Sequence, residues 1–149
     1  MTKFGGVVGN PKSVDTNVRF ASMRQIHAAI DHLHRGDFEC AITLAGAAEG
    51  ILPNTNEPHF RQRVKSLSAS PGIRAEGGAT GPNDYINWLK HGQTERGGPR
   101  IETATISEIE MIAVIWRAIT KFQATYNYTT TQMQNFAEWA KSHLQNSGN

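Results

Sequence analysis

The chain has 149 residues, 15 Lys+Arg against 13 Asp+Glu for a net charge of +2, and a single cysteine. Those figures predict one domain with a core that needs no disulfide or structural metal. They exclude an intrachain disulfide, so Cys40 fits a reducing, cytoplasmic setting and is expected to be a small packed residue. The basic residues are scattered rather than gathered in a stripe, so charge alone names no nucleic-acid partner.

Residues 1–12 read as a flexible leader, residues 13–146 as a single helical domain and residues 147–149 as a frayed tail. The leader lacks the apolar core of a signal peptide. Gly6 to Ser13 nearly spells a phosphate loop, GxxxxGK[ST]. Pro11 takes the place of the second glycine and removes a backbone N–H that such a loop uses. The short segment before it also leaves no room for the strand that feeds such a loop.

Residues 13–35 predict the first helix, with Phe20, Met23, Ile26, Ile30 and Leu33 at helical spacing. Asp15 or Asn17 can cap it, and Gly36 after His34-Arg35 ends it. Asp37 is expected to cap a second helix over 38–52. The short connection predicts an antiparallel pair. Ala41, Leu44, Ala45, Ala48, Ile51 and Leu52 form its apolar face, and its Ala/Gly content allows another helix to come close. Pro53 stops it.

Residues 53–82 are rich in Asn, Pro and Gly and predict a long irregular connection, with a short helix over 60–67. Residues 83–91 predict a third helix on Tyr85, Trp88 and Leu89, with Gly92 as its stop, followed by a second loop over 93–105. Residues 107–126 predict the longest helix. Ser107 and Glu110 form a capping box, and Ile109, Ile112, Ile115, Trp116, Ile119, Phe122 and Tyr126 make an apolar face wide enough for the centre of a bundle. A last helix begins at Thr130 or Thr131, with Met133, Phe136, Ala137, Ala140 and Leu144 inward. No alternating strand pattern occurs. The fold class is all-α, an up-and-down bundle of four to five helices with long Gly/Pro-rich loops. No apolar run is long enough to span a bilayer, so no membrane partner is expected.

Four constellations carry possible chemistry. His27, Asp31 and His34 lie at i, i+4 and i+7 and could face a divalent metal, although a polar helix surface explains them more simply and no metal is assigned. Glu49, behind a run of small residues, is placed to face a helix seam and pair with Lys or His. Asn87 and His91 share one helix face at i, i+4, with Lys90 beside them. Together they offer an amide, a cation and an imidazole to an anionic ligand. Tyr85 and Trp88 near Lys90 and Arg96 could stack RNA bases, whereas core packing accounts for both aromatics.

The segment TLAGAAEGIL in a short-turn helical pair, followed by NWLKHG, resembles small bacterial relatives of the HEPN (higher eukaryotes and prokaryotes nucleotide-binding) helical bundles. The resemblance covers roughly residues 25–140, mostly as helix order. It implies a bundle of four to five helices that forms a homodimer. Active members carry Arg-Asn-x-x-x-His. Here Asn87 to His91 matches Asn-x-x-x-His, but Ile86 stands where the arginine would be, which argues against catalysis. Lys90 supplies a point charge without the arginine fork.

The sequence therefore predicts a non-catalytic binding or interaction protein. Its ligand-binding residues are Asn87, Lys90, His91 and Glu49, and its partner is a nucleotide, RNA or protein. No cofactor is expected. The competing expectation is a metal-independent ribonuclease with His91 as acid/base and Lys90 on the phosphate.

Overall fold

A computed structural model describes residues 9–54 and 82–147 of the chain. The expected leader, apart from its last few residues, and the short helix over 60–67 fall outside the described residues. Within them are five α-helices and no strand: α1 (Val18–Arg35), α2 (Phe38–Ile51), α3 (Pro82–His91), α4 (Glu108–Tyr126) and α5 (Thr131–Ser147). The protein is an all-α bundle. Among the described residues no helix is long and apolar enough to cross a membrane.

The first helix starts at Val18, five residues later than the predicted boundary at residue 13, although its apolar stripe begins only at Phe20. Asn17 is extended at φ −148° and ψ 172°. Its side-chain oxygen accepts the Phe20 N–H at 2.9 Å, so the helix begins where that cap satisfies an orphan amide. At the other end Gly36 adopts φ 84°. This left-handed turn lets the Asp37 N–H reach back to the His32 carbonyl at 2.9 Å. Asp37 does not cap α2 through its side chain. Its carboxylate turns instead to His32 Nδ1 at 3.3 Å and Arg35 Nε at 3.8 Å.

The tight Gly36–Asp37 turn makes α1 and α2 a hairpin, and theirs is the most extensive helix–helix interface. A second hairpin joins α4 and α5, with Glu108 meeting His143 at one end and Trp116 meeting Phe136 further along. Between hairpins, His27 meets Thr130 and His34 meets Trp139, so α1 and α5 run in the same direction. The order is therefore up in α1, down in α2, down in α4 and up in α5, so α2 and α4 are parallel and the connection that carries α3 takes the chain from the end where α1 began to the opposite end. Helix α3 packs on α2 and α4.

As expected, α4 is the central helix. Met111, Ile112, Ala113, Val114 and Ile115 are consecutive and all buried, so the helix is enclosed on nearly every side. Ser107 Oγ accepts the Glu110 N–H at 3.3 Å and starts it. Facing it are Ile26, Ile30 and Leu33 of α1, Ala41, Ile42, Ala45 and Ala48 of α2, and Met133, Phe136 and Ala140 of α5.

Three residues assigned to apolar faces are exposed: Phe20 at 42%, Ile51 at 42% and Ile109 at 49%. Each lies within a turn or so of its helix end, where the opposing helix no longer covers it. Phe20 is lined instead by the guanidiniums of Arg19 and Arg24, 5.3 and 6.0 Å from its ring centre. Cys40 is exposed rather than packed, because Ala41 and Ile42 take the two interior directions of that turn.

Candidate functional site

Helix α3 has two faces with different work. Tyr85 is buried, and Ile86, Trp88 and Leu89 are half-buried against the core. Ile86 lies on the small-residue face of α2: a methyl group added at Gly46 would sit 3.1 Å from its Cδ1 and Cγ1. The close helix approach expected from the Ala/Gly content of α2 is therefore made by α3.

The opposite stripe of α3 carries Asn83, Asn87 and His91 at i, i+4 and i+8. Beyond His91 the chain reverses at Gly92, φ 70°. It folds back along α3 and is tied down repeatedly. The Trp88 indole N–H donates to the Ile101 carbonyl at 2.7 Å, and the Tyr85 hydroxyl to the Thr105 carbonyl at 2.9 Å. The Ile101 N–H donates to the Gly92 carbonyl at 2.9 Å. Residues 92–106 form an anchored strap. Tyr85 is buried and leaves no ring face to a base, and Trp88 is half-buried with its indole N–H engaged.

A tight turn within the strap, with the Gly98 N–H on the Glu95 carbonyl at 3.1 Å and Gly97 at φ 78°, returns side chains toward the end of α3. The result is a cavity of about 590 Å³ lined by Asn87, His91, Gln93, Glu95 and Arg96. Asn87 and His91 meet there as the i, i+4 spacing predicted. Lys90 does not line the cavity; it is exposed beside it. Gln93 and Glu95 were not singled out by sequence. The signal that could have found them is the glycine pair Gly92 and Gly97, which brings the intervening residues back over the helix end.

Glu49 is in a different place. It pairs with an arginine, where lysine or histidine was expected. Arg117 of α4 donates from one terminal nitrogen to Glu49 Oε1 at 2.7 Å and to Asn83 Oδ1 at 2.8 Å. The Arg117 and Glu49 side chains are 9% and 16% exposed. Lys121 Nζ donates to the Glu49 backbone carbonyl at 2.7 Å. That carbonyl belongs to the last turn of α2, which lacks an internal partner and carries the negative end of the helix dipole. The two cations thus close α2 and, through Asn83, hold the first turn of α3. Glu49 belongs to this seam and not to the cavity.

His27, Asp31 and His34 line a smaller hollow of about 390 Å³ between α1 and α5, together with Ile30, Gln132, Asn135, Phe136 and Trp139. The His27 ring bonds the Thr130 hydroxyl at 2.8 Å. Burial pushes the His27 pKa below its ordinary value, partly opposed by the Asp31 carboxylate. His34 sets its ring edge-on to Trp139 with centroids 4.8 Å apart, and His143 stacks on the same indole at 4.7 Å. No group of three or more His, Cys, Asp or Glu among the described residues is arranged to hold a metal ion.

Comparison of the chain with protein-family models, with curated protein sequences and with solved structures finds no match. The functional reading therefore stands on the geometry of the cavity at the end of α3. Two carbonyl-bearing amides, a carboxylate, an imidazole and a guanidinium converge there in a volume suited to a small ligand.

Proposed function

We propose that the protein is a cytoplasmic, homodimeric helical bundle of the HEPN-like kind that binds a nucleotide, free or within single-stranded RNA, in the cavity at the end of α3. The observation that carries the reading is the convergence of His91 and Arg96 on one cavity with Asn87 and Gln93. An imidazole and a guanidinium suit a phosphate group, the guanidinium with a two-pronged donor geometry. The amides suit base edges. A protein partner is less well served, because the cavity is small and its described lining offers no buried apolar anchor.

Ile86 supports a binding role over a catalytic one. It stands where active HEPN ribonucleases carry arginine, and its side chain is packed on Gly46 of α2. The competing ribonuclease reading draws its support from Arg96, which lines the same cavity as His91 and could hold a phosphate in place of that arginine.

Titrating the protein with a mixed-sequence single-stranded RNA and with ribonucleotides, in parallel with His91→Ala and Arg96→Ala, tests both readings. Saturable binding weakened at least several-fold in each variant supports the proposal. Cleavage of the RNA that disappears in His91→Ala would replace it with the ribonuclease. Absence of both binding and cleavage would remove the site from consideration.

A further inference from the structure

The hydrogen bonds already made by the cavity walls determine what those walls have left to offer. Asn87 Nδ2 donates to the Thr94 carbonyl at 3.2 Å, and Gln93 Nε2 donates to the Gly98 carbonyl at 2.8 Å. A backbone carbonyl can only accept, so in each amide it is the NH₂ group that is engaged there. The atoms left to a ligand are chiefly the carbonyl oxygens Oδ1 of Asn87 and Oε1 of Gln93, both acceptors. The Glu95 carboxylate is a third acceptor group. Among the described residues no hydrogen bond or ion pair engages the charged ends of Glu95 or Arg96. The donors of the cavity are the Arg96 guanidinium and the His91 ring.

A ligand that matches this division carries an anionic group at one end and adjacent hydrogen-bond donors at the other. Among ribonucleotides only guanine presents two neighbouring donors, N1–H and N2–H₂, on its pairing edge. Adenine and cytosine set a donor beside an acceptor, and uracil sets its donor between two acceptors. A carboxylate accepts both guanine donors at once, one on each oxygen. We infer that the cavity is a guanine-nucleotide site, with Glu95 reading N1–H and N2–H₂ and with Arg96 and His91 on the phosphate. This rests on the nucleotide-binding reading above and narrows it to one base.

Glu95 is also positioned by its surroundings. A methyl group at Gly98 would fall 2.7 Å from Glu95 Cγ, so the side chain lies against the bare backbone of that glycine. Gly98→Ala therefore displaces the carboxylate without removing its charge, whereas Glu95→Gln keeps its place and turns one acceptor into a donor.

The test is calorimetric titration of the full chain with GMP, AMP, CMP and UMP, and with two short single-stranded RNAs that differ by one guanine. GMP is expected to bind about ten-fold or more tighter than the other three, the discrimination a good two-pronged base contact provides. Glu95→Gln and Gly98→Ala should each erase that preference while far-ultraviolet circular dichroism stays helical, and Arg96→Ala should weaken all nucleotides alike. Whether GMP or the guanine-bearing RNA binds more tightly identifies the source of the base, and the preference supports the inference in either case. Equal affinity for all four nucleotides would overturn the guanine assignment and leave nucleotide binding intact, as would a preference for another base or one that survives Glu95→Gln. No binding by any nucleotide or RNA would overturn both.

Discussion

Arg117 and Glu49 meet at 2.7 Å across the α2–α4 seam, and the same Arg117 nitrogen reaches Asn83 at 2.8 Å, so one guanidinium ties three helices together. The pair is incompletely satisfied: Glu49 Oε2 and Arg117 Nε are buried without a hydrogen-bond partner. A buried pair of this kind costs more to break than to replace. Glu49→Ala should destabilise the protein by roughly 3 kcal/mol, because it leaves Arg117 facing only a neutral amide. The double variant Glu49→Leu with Arg117→Met should lie within about 1 kcal/mol of the parent. Urea unfolding of Glu49→Leu, Arg117→Met and their double variant closes the cycle. A double variant as unstable as the sum of the singles would refute this account.

The contact of Gly46 with Ile86 makes a second prediction. Alanine at position 46 would bring a methyl group 3.1 Å from Cδ1 and Cγ1 and 3.2 Å from Cγ2 of Ile86, whose side chain can give way slightly. A larger residue cannot be accommodated so easily. Gly46→Leu should cost roughly 1–3 kcal/mol by overpacking, with α3 pushed off α2. Combining it with Ile86→Ala should recover part of the loss. A Gly46→Leu protein as stable as the parent in thermal unfolding would show that α3 docks elsewhere.

The comparison of sequence with structure is informative at particular residues. Apolar spacing alone placed every described helix, and it put Met133, Phe136 and Ala140 inward correctly. It failed at helix ends such as Phe20 and Ile109, because periodicity does not know where the opposing helix stops. Asn87 and His91 were legible as a pair because i, i+4 geometry is local. Glu95 and Gln93 were not, since their place depends on a chain reversal at Gly92 and on tertiary hydrogen bonds to the strap. The partner of Glu49 was equally hidden: Arg117 is separated from it by 68 residues and reads, in sequence, as one more charge on a long helix.

The strap over α3 makes a third prediction. The Trp88 indole N–H is the donor that holds the Ile101 carbonyl, at 2.7 Å. Trp88→Phe keeps most of the apolar contact and orphans that carbonyl, at a cost of about 1 kcal/mol. The loss should be local. The Ile101 amide, bonded to the Gly92 carbonyl, should exchange its hydrogen faster than in the parent, while amides in the middle of α4 stay protected. Because Glu95 and Arg96 ride on the same strap, the affinity of the proposed nucleotide site should fall as well. Unchanged Ile101 exchange would show that the strap does not depend on this bond.

The last prediction concerns pH. His27 has a depressed pKa in the folded protein, chiefly through burial and in spite of Asp31. Its ring sits against the Thr130 hydroxyl, which also accepts the Met133 N–H at 3.3 Å in the first turn of α5. Above the unfolded-state value of about 6.5 the ring is neutral in both states and the fold keeps its full stability. As pH falls below that value the unfolded chain takes up a proton that the folded chain resists, so stability declines until the folded pKa is passed. His27→Gln, which keeps a hydrogen-bonding group near Thr130, should remove this part of the decline. Measured as the difference between parent and variant in urea midpoints across the acid range, the gap should widen in favour of the variant as pH falls below neutrality. A difference that stays constant with pH would show that His27 titrates alike in the folded and unfolded chain.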